Sequence, residues 1–168
     1  MNCGDQNILM TIKEQLLQSL ERVLDGNPWY GNSIISALDK ITAENMGHAV
    51  QTVNGKSVPE YLLHMISCQD FVLEKLRGNK SLDIELGSEQ DWPKNNSPSD
   101  DSWSKLIIQF KNQNSQILNE VKSRSESDFD QLVPGKSYTL SLMIEGLIHH
   151  NIYHLGQIVI LSKLLENR

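Results

Sequence analysis

Apolar residues recur at steps of three and four along each long segment of the chain, and no pair of alternating segments with a hairpin signal is present, so the pattern predicts helices. Leu9, Ile12, Leu16, Leu20 and Val23 form the first stripe, which Asp25-Gly26-Asn27-Pro28 brings to an end. A shorter pattern of Ile34, Ile35, Leu38 and Ile41 follows Trp29-Tyr30-Gly31 and reads as a bent continuation of the first helix. Residues 42–55 are mostly polar and predict a connection. Ser57-Val58-Pro59-Glu60 then has the form of a capping box with proline in the first turn, so a helix should run from there to Leu76 or Arg77, ahead of Gly78.

Residues 79–99 form the longest break, rich in Asn, Ser, Pro, Asp and Glu, with Trp92 as the one large aromatic side chain. A structureless stretch of that length is unusual. Its first reading is a crossover between bundle helices that run in the same direction; a lid or rim over a site is the second, and the two are compatible. Ser97-Pro98-Ser99-Asp100 signals the next helix, whose buried face should carry Trp103, Ile107, Phe110, Ile117 and Val121. Polar residues 122–130, a brief extended stretch at Gln131-Leu132-Val133 and the turn Pro134-Gly135 lead to a last helix over 139–165. Four long helices with one extended connection predict an all-α four-helix bundle with a crossover.

The chemistry concentrates on that last helix. Met143, Leu147, His150, His154, Ile158 and Leu161 share one stripe, so two imidazoles occupy positions where a bundle places core residues. Side chains at i and i+4 are neighbours on a helix and can converge on one point. His64, alone in the apolar run Tyr61-Leu62-Leu63-His64-Met65-Ile66, is the best third partner. Buried imidazoles must be neutral and hydrogen-bonded or must bind a metal. A single histidine in an apolar stripe reads most simply as a satisfied core residue, whereas His64, His150 and His154 together predict a three-histidine divalent-metal site. Zinc or nickel suits an all-nitrogen donor set, and iron and copper are admitted by ligand type.

Gly146, one turn before His150, either leaves space beside the ligands or lets a helix pack closely. Gln157, one turn beyond His154, either orients a metal-bound water or substrate or bonds a neighbouring helix. Tyr153 is a second orienting candidate. Cys68 follows His64 by one turn and either reaches the same cavity or is buried as a small apolar group. His149 falls on the face of Glu145 and Tyr153, and His48 lies in the polar connection. Acidic residues lie outside the apolar stripes, which speaks against a carboxylate-bridged dimetal centre and leaves no obvious general base.

A length of 168 residues suits one domain spanning 1–168. The net charge of -6 and a pI near 5.3 argue against nucleic acid as a partner. No apolar run reaches the ~20 residues that cross a bilayer, and the first residues lack a secretory signal, so a cytoplasmic location with no membrane partner is expected. The two cysteines, Cys3 and Cys68, imply no disulfide framework. There is no G-x-S-x-G, Walker glycine loop, G-x-G-x-x-G or Cys-x-x-Cys.

His150-Asn151-Ile152-Tyr153-His154-Leu155-Gly156-Gln157-Ile158, the upstream His64 and Val133-Pro134-Gly135 before the last helix together resemble the DinB-like superfamily, also called DinB/YfiT-like metalloenzymes, over about residues 7–165. The resemblance implies an up-down-down-up four-helix bundle and a metal triad of one histidine from the second bundle helix and two from the last, which fall on His64, His150 and His154. It implies a thiol-dependent S-transferase acting on an electrophilic small-molecule substrate with a low-molecular-weight thiol such as bacillithiol or mycothiol. A metal-dependent hydrolase and a non-catalytic metal-binding stress-response module, with Trp29, Tyr30 and Trp92 as apolar contacts, are the alternatives. Bundles of this kind pair through exposed faces, so a homodimer is also expected. Cys68 departs from the family pattern.

Overall fold

The computed structural model describes residues 10–42, 55–94 and 99–166; Leu9, His48, Cys3 and most of the predicted 42–55 connection lie outside them. Helix α1, Ile12–Asp25, starts at Thr11, whose hydroxyl accepts from Glu14 N while the Glu14 carboxylate accepts from Thr11 N. Gly26 ends it for a steric reason. A Cβ there would stand 2.6 Å from the Arg22 Cα. Of the predicted stripe Leu20 and Val23 are in the core, with Leu24 beside them, Leu16 is partly buried against it and Ile12 is exposed. Helix α2, Ile34–Leu38, is short and nearly all buried, and it packs on α1 and the last helix.

Helix α3, Val58–Leu76, begins at the predicted capping box, with Pro59 where an N–H has no helical acceptor in any case. Helix α4, Asp100–Ser123, buries Trp103, Ile107, Phe110, Ile117 and Val121 as predicted. The polar stretch after it holds a 3-10 turn, Glu126–Asp130, which plugs the wholly buried Phe129 into the core. Leu132 then bridges Thr139 across the Pro134-Gly135 turn and delivers the chain into α5, Leu140–Glu166. The brief extension read at 131–133 is this bridge.

Helix α3 packs against α4 and α5, and α1 closes on the same two, giving an all-helical bundle among the described residues. Leu20, Leu62, Met65, Phe110, Ile117, Ile144 and Ile158 are fully buried at its centre. That non-directional burial stabilises the frame by about 1.5–3 kcal/mol per large side chain.

Residues 79–94 are ordered by specific bonds rather than by a helix. Lys75, almost wholly buried near the end of α3, donates from Nζ to the carbonyls of Asn79 and Lys80 at 3.1 and 3.3 Å. Asn79 Oδ1 accepts from the amides of Ser81 and Leu82, and Lys136 pairs with Asp83 at 2.5 Å. Gly135, at φ 77°, passes so close that a Cβ would meet the Lys80 carbonyl oxygen at 2.8 Å. The segment is therefore pinned at both sides and laid along α3, where Ser67 Oγ donates to the Gln90 carbonyl. The rim predicted for it is formed, and it ends over the histidines.

Candidate metal centre

The i, i+4 pair on α5 and the single histidine on α3 meet at the contact between those two helices. One ring nitrogen from each of His64, His150 and His154 lies within 4.8 Å of the others. His64 and His154 are buried and His150 is half-buried. His150 Nε2 stands 2.9 Å from His64 Nε2. The rings of His150 and His154 approach edge to face at 4.4 Å, and His154 meets His64 in the same way at 4.7 Å.

The outer bonds of two rings decide which nitrogen faces inward. His64 Nδ1 lies 2.6 Å from the Asp91 backbone carbonyl, which can only accept, and 3.1 Å from Asp91 Oδ1. Nδ1 therefore carries the proton, and in the neutral ring Nε2 is a bare lone pair. His154 Nδ1 likewise donates to Gln157 Oε1 at 2.5 Å, which leaves its Nε2 free. Both are the tautomers that a metal requires, set by the carboxylate–histidine and amide–histidine contacts typical of metal sites. His150 Nδ1 is buried without a hydrogen bond of ordinary geometry, beside the equally unpartnered Oδ1 of Asn151.

Electrostatics act in the same sense. Burial, then the neighbouring His154 and His64, lowers the His150 pKa to about 4. Burial, then His64, lowers that of His154 to about 4. Near neutral pH both rings are thus uncharged and ready to ligate. Burial, then the Asp91 carboxylate, pushes the Cys68 thiol up to about 12, so on its own it stays protonated. Cys68 Sγ is 3.5 Å from His150 Nε2, so it reaches the cavity as one of its two sequence readings required.

Asp91 is the residue that the sequence pattern concealed. It is buried, bonded to His64, and locked by the Gly87 amide on Oδ2 at 2.8 Å and the Ser88 hydroxyl on its own amide. Asp91 lies outside the apolar stripes, as expected of the acidic residues, but a turn in an irregular segment delivers it to the histidines all the same. Trp92, next in sequence, stacks flat on His64 with centroids 3.9 Å apart and planes 3° from parallel. Tyr61 meets Trp92 edge-on, and Lys56 Nζ lies 5.0 Å from the Trp92 ring. Trp92 is therefore a wall of the site, whereas Trp29 is fully exposed.

The sequence model of the DinB superfamily matches residues 32–158. The chain belongs to the DinB superfamily. The matched span runs from just before α2 into α5 and includes all three histidines. No curated protein and no solved structure matched the chain.

Among the described residues of this DinB protein two groups could hold a metal ion, His64 with His150 and His154 or His64 with Cys68 and Asp91; the first is the set selected from the sequence, and its all-nitrogen donors fit a divalent cation. Gln157 Oε1 accepts from His154 on its own helix. Tyr153 is largely exposed, with its ring 4.9 Å from that of His154 on the outer side of α5. His149 is exposed. Beside the histidines opens a hollow of about 460 Å³, with Cys68, Asp91 and His150 at its polar end and Phe71, Val72, Met143 and Leu147 among its walls. Gly146 lines it too, and a Cβ there would meet nothing within 4 Å, so the close-packing reading of this glycine is set aside. Among the described residues no helix is long and apolar enough to cross a membrane.

Proposed function

We propose that this DinB protein is a metal-dependent S-transferase: His64, His150 and His154 hold one divalent ion, zinc or nickel first, with iron or copper admitted by the same donors. The observation that carries the reading is the convergence of three imidazoles, two of them fixed by Asp91 and Gln157 in the tautomer that presents Nε2 inward. A divalent ion bound there supplies Lewis acidity and keeps a thiolate available at neutral pH. The chain's own groups do the rest. Trp92 and Tyr61 cover the His64 side and exclude water from it. Asp91 and Gln157 hold two imidazoles at fixed angles, and the hollow beside His150 receives the electrophile. Thiol transfer forms a carbon–sulfur bond, breaks the bond to the leaving group and returns the thiol proton to solvent.

Hydrolysis is the second reading, favoured by the buried Asp91 carboxylate. Its oxygens are already taken by His64 and the Gly87 amide, which leaves it a poor general base. The proposal also places the protein in the cytoplasm, where low-molecular-weight thiols are abundant, and as a homodimer, which sedimentation would test. For the reaction, the metal-loaded protein is incubated with bacillithiol or glutathione and an alkylating electrophile, and thioether is read by mass spectrometry. Metal-dependent thioether formation that disappears in His150→Ala/His154→Ala is the expected result. Ester hydrolysis without thioether would favour the hydrolase, and neither activity would favour a non-catalytic metal-binding module.

A further inference from the structure

The hollow beside His150 has an apolar mouth as well as apolar walls. Leu86 is 90% exposed and Leu142 55% exposed, yet both line it, so two large apolar side chains face water around a concavity. Such an arrangement is a mark of a ligand site.

The charged groups lining the hollow are all acidic. Among the described residues no lysine or arginine lines it; the carboxylates are Asp83, already paired with Lys136, and Asp91, already committed to His64 and the Gly87 amide. In the metal-free protein an anion entering would shed its water and face Asp91, while Lys136, beside the hollow, is already paired with Asp83.

Gly146 supplies the third observation. It sits inside the 27-residue α5, where glycine costs about 1 kcal/mol relative to alanine. No close neighbour requires it, because an added Cβ meets open space. What its lack of a side chain does is leave that wall of the hollow open.

We infer that this hollow binds an uncharged, largely apolar small molecule, the electrophilic partner of the reaction proposed above, and that Gly146 is the residue that keeps it open. The inference rests on the thiol-transfer reading for the molecule's role, while the binding itself stands on the cavity.

Two fluorescent probes with one skeleton test it: uncharged N-phenyl-1-naphthylamine and its sulfonated relative 1-anilinonaphthalene-8-sulfonate. Metal-free wild-type protein should brighten the uncharged probe saturably and bind the sulfonate about tenfold more weakly. Gly146→Leu should weaken the uncharged probe by about tenfold while metal content and melting temperature hold or rise. Leu86→Glu, at an exposed position where folding is not at stake, should weaken it as well. Absent saturable binding, equal affinity for the sulfonate, or wild-type binding by both variants would overturn the inference. Probe binding by a protein that takes up no metal would support the cavity site and sink the thiol-transfer reading instead.

Discussion

Of two contrasting hollows on this bundle, the larger carries less chemistry. Between α1 and α4 lies a space of about 780 Å³ edged by Glu21, Arg22, Asp25 and Lys111, charges of both signs that water already serves well. The α3–α5 hollow is smaller, about 460 Å³, and apolar except where His150, Cys68 and Asp91 converge. Volume measures only where helices diverge. A site needs donors held in place with their partners chosen, and of the two only the second abuts the imidazole cluster, with His150 on its lining and His64 and His154, each set by a hydrogen bond, next to it.

The largest expected effect separates the two most sharply. His150→Ala/His154→Ala should abolish metal retention, whereas Arg22→Ala in the α1–α4 hollow should leave it unchanged, as read by metal content after dialysis. Next come the groups behind the ligands: Asp91→Asn or Gln157→Ala should weaken metal affinity by about 10–100-fold in a competition titration, without loss of helicity. A pH series on metal-free protein comes third. His150 and His154 are held neutral in the folded state, with pKa values near 4 against an ordinary 6.5. The unfolded chain therefore binds more protons between those values, so stability is full above about pH 6.5 and falls as pH drops toward 4. Denaturant melts should show that loss in wild type, and Arg22→Ala should not remove it. The smallest effect is expected for Cys68→Ser, with metal content unchanged and a stability change of about 1 kcal/mol.

The sequence read the helices well because each long one has an apolar period and two have a cap signal besides: Ser57 with Glu60 for α3, and Ser99 ahead of the regularly buried Trp103, Ile107 and Phe110 for α4. His150 and His154 were legible for the same reason, since helical spacing fixes their common face. His64 was legible as an exception to its apolar run, though its facing the pair depended on tertiary packing. Asp91 was not legible. It sits in residues 79–94, where no period exists and position is set by side-chain bonds, from Lys75 at its start and from the distant Lys136. Its one signal was Trp92 beside it, an aromatic in a polar stretch with no local reason to be there. The second half of α1 packed as the stripe predicts, whereas Ile12 is exposed.

The central claim is that three converging imidazoles make a metal site, and elemental mass spectrometry on untagged protein tests it most directly. Wild type and Arg22→Ala should carry close to one divalent ion per chain, and His64→Ala should carry none after the same dialysis. A wild type that takes up no metal even after reconstitution, or a His64→Ala variant that retains it undiminished, would contradict the account.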